Sequence, residues 1–89
     1  MGKHKEHSVL SKEIENAKTK VVIGASYWHH KDPNKLYKVI DLGFLESTDE
    51  LHVIYQAQYG EPLTFLRPLT SWLEEVEWQG ETLPRFTKV

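Results

Sequence analysis

The sequence predicts a mainly β fold, a small antiparallel barrel of about five strands behind a short N-terminal helix. Three observations predict it. The chain has 89 residues, which is one domain by size. Apolar residues alternate with period two, most cleanly Leu51, Val53, Tyr55, Ala57 and Tyr59 against His52, Ile54, Gln56 and Gln58. Polar turns recur every ~8–12 residues, too close for crossover helices, so neighbouring strands must run antiparallel. Closing such a sheet into a barrel removes its unpaired edges.

Residues 1–9 read as a polar leader. Over residues 10–21, Leu10, Ile14, Ala17 and Val21 trace one helical face. Ser8 or Ser11 is placed to cap this helix, and Glu13 and Glu15 to favour its first turns through the dipole. So short a helix must dock its stripe on the barrel, through Leu10, Ile14 and Ala17, to be stable. Residues 22–89 form the barrel domain. Val21-Val22-Ile23 is β-branched and stops at Gly24, and Tyr27-Trp28-His29-His30 is extended. Residues 31–35 have turn chemistry around Pro33. Residues 35–44 alternate, with Leu36, Ile40 and Leu42 on one face and Tyr37 and Val39 on the other. Polar turns follow at residues 46–50 and 60–62. Residues 63–69 form a strand that Pro68 places at an edge or bulge. Residues 71–78 read as a helical turn and then a strand, and Gln79-Gly80-Glu81 turns the chain. Pro84 limits the pairing of any last strand.

Composition bounds the chemistry. There are no cysteines, which removes disulfides, thiolate catalysis and cysteine-based zinc sites. No apolar run reaches the ~18 residues of a membrane helix, and no signal-peptide core follows the basic start. The domain is therefore expected in the cytoplasm, with no membrane partner. The net charge of -2 hides an asymmetry. Up to Lys38 there are eight Lys and four Asp+Glu, or +4; from Val39 on, three Lys+Arg and nine Asp+Glu, or -6. That is not the uniformly basic domain expected of a nucleic-acid binder.

Several phrases stand in one order: Tyr27-x-His29-His30-Lys31, Leu36-Tyr37-x-Val39, Val53-x-Tyr55-Gln56-Ala57-x-Tyr59-Gly60, Leu66-Arg67-Pro68-Leu69 and Leu83-Pro84-Arg85-Phe86. Together they resemble the bacterial family of domains of unknown function 1653, over roughly residues 25–87. The resemblance implies an SH3-like barrel of bent antiparallel strands and brings no established activity. Asp32-Pro33-Asn34 stands here where that family has a short glycine turn. The family's histidine just before the turn at Glu46-Ser47-Thr48 is missing, which argues against chemistry at that place.

Among candidate site residues, His29-His30 is the only adjacent histidine pair. Neighbours on a strand face opposite ways, so one metal cannot easily take both, and no third ligand is at hand. No metal or cofactor is expected, and a hydrogen-bonded, partly buried His29 is the simpler reading. Glu74, Glu75 and Glu77 read as solvated carboxylates, and no glycine loop cradles phosphate. Arg67 lies in phase with Phe65 and Leu69, so its stem covers apolar surface while its head needs a partner. It is either a salt bridge to Glu74 or Glu75, or an anchor for an anionic or aromatic ligand. Ten aromatic residues exceed what so small a core needs. The expectation is a non-catalytic module, a monomer by default, with a groove around Tyr27, His29, Tyr55, Tyr59, Arg67 and Trp72. It would bind a peptide or protein segment. The rivals are RNA or single-stranded nucleic acid, and a small-molecule enzyme.

Overall fold

The computed structural model describes residues 5–89 of the chain. Helix α1 (His7–Ala17) precedes β1 (Ser26–His29), β2 (Asp32–Leu45), β3 (Glu50–Ala57) and β4 (Thr64–Pro68). A short α2 (Leu69–Trp72), a β5–β6 hairpin (Glu75–Trp78 and Glu81–Pro84) and β7 (Phe86–Lys88) complete the chain. The main sheet is antiparallel with order β4-β3-β2-β1-β7. Its outer strands, β4 and β7, do not pair with each other, so the barrel stays open there. Trp72 of α2 fills that side by stacking on Phe86 of β7, 3.7 Å between ring centroids.

Helix α1 begins earlier than the apolar stripe suggests. Ser8 and Ser11 lie inside it rather than capping it, and Glu13 and Glu15 fall beyond its first turn. The N-cap is Glu6, without a side-chain bond to the helix. A tertiary contact instead fixes the chain just before the helix: the Lys5 N–H donates to the Asp49 carboxylate in the β2–β3 turn, at 2.8 Å. Ala17 is buried, Ile14 packs against the core, and Leu10 is only half-buried. Val21 is fully buried, but its segment is no strand. The Val21 N–H donates to Ala17, Val22 and Ile23 are exposed, and Gly24 turns the chain at φ 89°.

Two irregularities in β2 decide which side chains face inward. Trp28 stands opposite Leu36, but His29 stands opposite Asp32, so β2 carries three extra residues there. The turn is thus His30-Lys31, earlier than the proline-centred turn expected, and Pro33-Asn34-Lys35 bulges outward. The second shift lies between Val39 and Asp41, which leaves Ile40 unpaired against β3. A bulge of one residue reverses the alternation beyond it. Ile40 is therefore exposed, and Leu42 joins Val39 and Tyr37 on the core side instead of opposing them.

Strand β3 keeps its expected inner face: Leu51, Val53, Tyr55 and Ala57 are buried, while on the other face Ile54 and Gln56 are half-buried and His52 is buried as well. The Gln79-Gly80 turn has φ 52° and 83°, the doubly positive geometry of a two-residue hairpin in which glycine takes the second place. The core joins Ala17, Val21, Tyr27, Val39, Leu42, Leu51, Val53, Tyr55, Trp72 and Phe86.

Candidate functional site

The six residues singled out in the sequence converge on one aromatic network, at two depths. Tyr27 and Trp72 meet edge to face at 5.3 Å, and Tyr55 meets Trp72 at 5.0 Å. All three are buried. They support a groove rather than line it, because their inward positions on β1, β3 and α2 point them at the core. The Tyr27 hydroxyl is committed too, accepting from the Val22 N–H.

Above them lies an open face. Tyr59, 36% exposed, meets Tyr37 edge-on, and their hydroxyls hydrogen-bond. Burial, with the Tyr59 contact, pushes the Tyr37 hydroxyl up to about 12, so it stays protonated. Phe65, 40% exposed, tilts over Tyr55. Phe86 lies buried beneath the centre of this face, touched by Tyr37, Tyr55, His29, Trp72 and Arg67. Neither Phe86 nor Tyr37 stood among the predicted site residues. The only signal for them was their place in the recurrent phrases, since a ring's neighbours across a sheet depend on register.

Arg67 is held over the Phe86 ring at 5.4 Å. Its Nη1 donates to the Ser71 hydroxyl at 2.9 Å, and its Nε points to the Tyr55 hydroxyl at 3.4 Å. Among the described residues no carboxylate lies within ion-pair distance of it. Glu74 pairs instead with Arg85, at 2.8 Å, and Arg85 also donates to the Ser71 carbonyl.

His29 completes the rim. Its Nδ1 accepts from the Lys31 N–H at 3.2 Å, so the neutral ring carries its proton on Nε2. Burial lowers its pKa to about 4, helped by His30, Arg67, Arg85 and Lys31. It is an uncharged donor at neutral pH. The His30 ring lies only 4.2 Å from it, because His30 sits in the turn rather than in the strand. Burial also lowers the His30 pKa, against the pull of the Arg85 carbonyl, and among the described residues its buried Nδ1 has no hydrogen-bond partner. Among the described residues no three His, Asp or Glu side chains gather as a metal site. A cavity of about 260 Å³ lies elsewhere, between α1 and β3. Lys5 and Glu13 on its wall pair with each other.

The family model described as "Protein of unknown function (DUF1653)" matches residues 25–88. The chain belongs to this family. A crystal structure of a DUF1653 protein from Bordetella bronchiseptica is similar at 28% identity and a TM-score of 0.68, covering 79% of this chain and 90% of that one. No curated protein matches the chain. Every residue of the aromatic face falls inside the DUF1653 match, and helix α1 falls outside it. Of the three residues expected in place of a glycine turn, Pro33 and Asn34 lie with Lys35 in the outward bulge of β2, while Asp32 pairs with His29. They leave the pairing of Tyr27 with Tyr37 in register.

Proposed function

We propose that this DUF1653 domain is a non-catalytic binding module, and that an extended peptide or protein segment lies on the aromatic face around Arg67. The observation that carries this reading is the state of the Arg67 head. It is fixed by two neutral hydroxyls and a ring, and among the described residues no carboxylate pairs with it. Such a head keeps unused N–H donors in a set orientation, which suits an acidic side chain of a ligand. Tyr37, Tyr59 and Phe65 add flat area that loses little side-chain entropy on binding. The reading needs no metal or cofactor, and takes the domain to be a cytoplasmic monomer with its N-terminal helix docked as part of one unit.

The test is an amide-shift survey of the labelled domain against pools of peptides, oligonucleotides and metabolites. Peptide-dependent shifts at Tyr37, Tyr59 and Arg67, lost in Arg67→Gln, support the reading. Shifts from metabolites alone overturn it. One observation favours a nucleic-acid reading: the Lys35 ammonium lies 5.2 Å over the Tyr59 ring, a cation beside a stacking surface. Oligonucleotide binding that weakens steeply with salt would select that reading.

A further inference from the structure

We infer that the free edge of β4 receives the peptide segment as an added antiparallel strand, with an acidic side chain of the segment opposite Arg67. This rests on the peptide reading above and supplies its geometry. Among the described residues, strand β4 is an outer strand and pairs only with β3. The Ala57 N–H donates to the Leu63 carbonyl at 3.0 Å. Since hydrogen-bonded pairs alternate along an antiparallel ladder, Phe65 and Arg67 turn their backbone groups toward β3, and Thr64, Leu66 and Pro68 turn theirs away. Pro68 thus lacks a donor only on the outer side, while Thr64 and Leu66 offer theirs to a partner.

Outer strands are commonly blunted by lysines, bulges or a covering element. Here β4 has no bulge and no acidic or lysine side chain, and Leu63, Phe65 and Leu66 are 58%, 40% and 60% exposed. Pro68, itself a blunting device, blocks only the last position, and the apolar edge before it is the template used in strand addition. Charge selects the occupant. A residue directly opposite Arg67 on an added strand shares its face, with Cβ atoms about 5 Å apart. That is close enough for a carboxylate to reach the guanidinium. A second copy pairing β4 on β4 would bring no carboxylate, because β4 contains none. An acidic segment from another protein fits better.

The probe is a capped hexapeptide, Thr-Val-Glu-Val-Thr-Val. Set antiparallel, it places its valines opposite Pro68, Leu66 and Thr64 and its glutamate opposite Arg67. Binding to the labelled full chain should slow amide exchange at Thr64 and Leu66. Replacing glutamate by lysine, N-methylating the middle valine, or Arg67→Gln should each weaken Kd about tenfold, as for loss of one charge-assisted or backbone bond. Binding indifferent to N-methylation overturns the inference. So do shifts at Tyr37 and Tyr59 without protection of Thr64 and Leu66, which leave the peptide reading standing. If the hexapeptide fails at millimolar concentration while other peptides bind the aromatic face, only the edge assignment falls. If no peptide binds, both fall. Protection of Thr64 and Leu66 without peptide, together with concentration-dependent dimers, would give the edge to a second copy and overturn the acidic-segment assignment.

Discussion

Replacing Arg67 by glutamine separates a ligand anchor from a structural staple by magnitude. The structure gives the native head a hydrogen bond to the Ser71 hydroxyl at 2.9 Å, a long one to the Tyr55 hydroxyl at 3.4 Å, and a ring contact at 5.4 Å. One good hydrogen bond contributes about 0.5–1.5 kcal/mol net. A partly exposed cation–ring contact contributes about 0.5–1 kcal/mol, and the 3.4 Å bond little. Glutamine keeps part of the stem's packing and can donate to Ser71, so the loss should come to about 1–1.5 kcal/mol. Breaking a buried ion pair costs roughly 3–5 kcal/mol, because it strands a charge. Urea melts of both proteins, at equal m-values, measure the difference as a shift in midpoint. A loss above about 3 kcal/mol would mean that the guanidinium answers a buried carboxylate. The open anchor would then be refuted.

Val53→Ala should cost about 1–3 kcal/mol in the same melts, since Val53 is fully buried at the centre of β3. A change within about 0.5 kcal/mol, as at surface sites, would contradict the assigned register. Ile40→Thr should stay within about 0.5 kcal/mol, because the bulge turns Ile40 outward; a loss of 2 kcal/mol or so would restore uninterrupted alternation. His29, its pKa lowered from 6.5 to about 4, binds its proton more weakly folded than unfolded. Its contribution is complete above pH 6.5 and is lost as pH falls toward 4. Screening of this half-exposed ring limits the effect to about 1–2 kcal/mol. His29→Gln should flatten the slope of stability against pH across that window, and identical slopes in the two proteins would contradict the shift.

Much of the fold was legible in the sequence because period-two alternation and turn residues are local properties. Strand β3, the helical turn at α2, the β5–β6 hairpin and the edge position of Pro68 could each be read from neighbouring residues. What was not legible depended on pairing. Nothing local marks Ile40 as the unpaired residue of a bulge, and one extra residue reassigns every side chain after it. The start of α1 escaped for a similar reason: its anchor is Asp49, far away in the chain. The predicted site residues did fall together, but the sequence could not tell which rings lay beneath the face and which on it. Tyr27 and Tyr37 are cross-strand partners with the same chemistry, and only the packing of Trp72 over one of them sets their depths.

The ion pair first considered for Arg67 is made in the folded chain by a second arginine, Arg85. Both reach Ser71, Arg67 through the hydroxyl and Arg85 through the carbonyl. Arg85 also takes the Glu74 carboxylate, and its backbone N–H donates to the Glu74 carbonyl, so it ties the hairpin and β7 to the end of α2. Arg85 occupies Glu74, and the other carboxylate expected to neutralise Arg67, Glu75, is exposed on β5 and makes no ion pair with it among the described residues. Arg67 is left with partners that orient its head without cancelling its charge. On the proposed reading, such an arginine should cost the fold little when removed and leave its charge available to a ligand. The sheet stops short of closing, and Phe86 and Trp72 pack into the gap and support Arg67 from below.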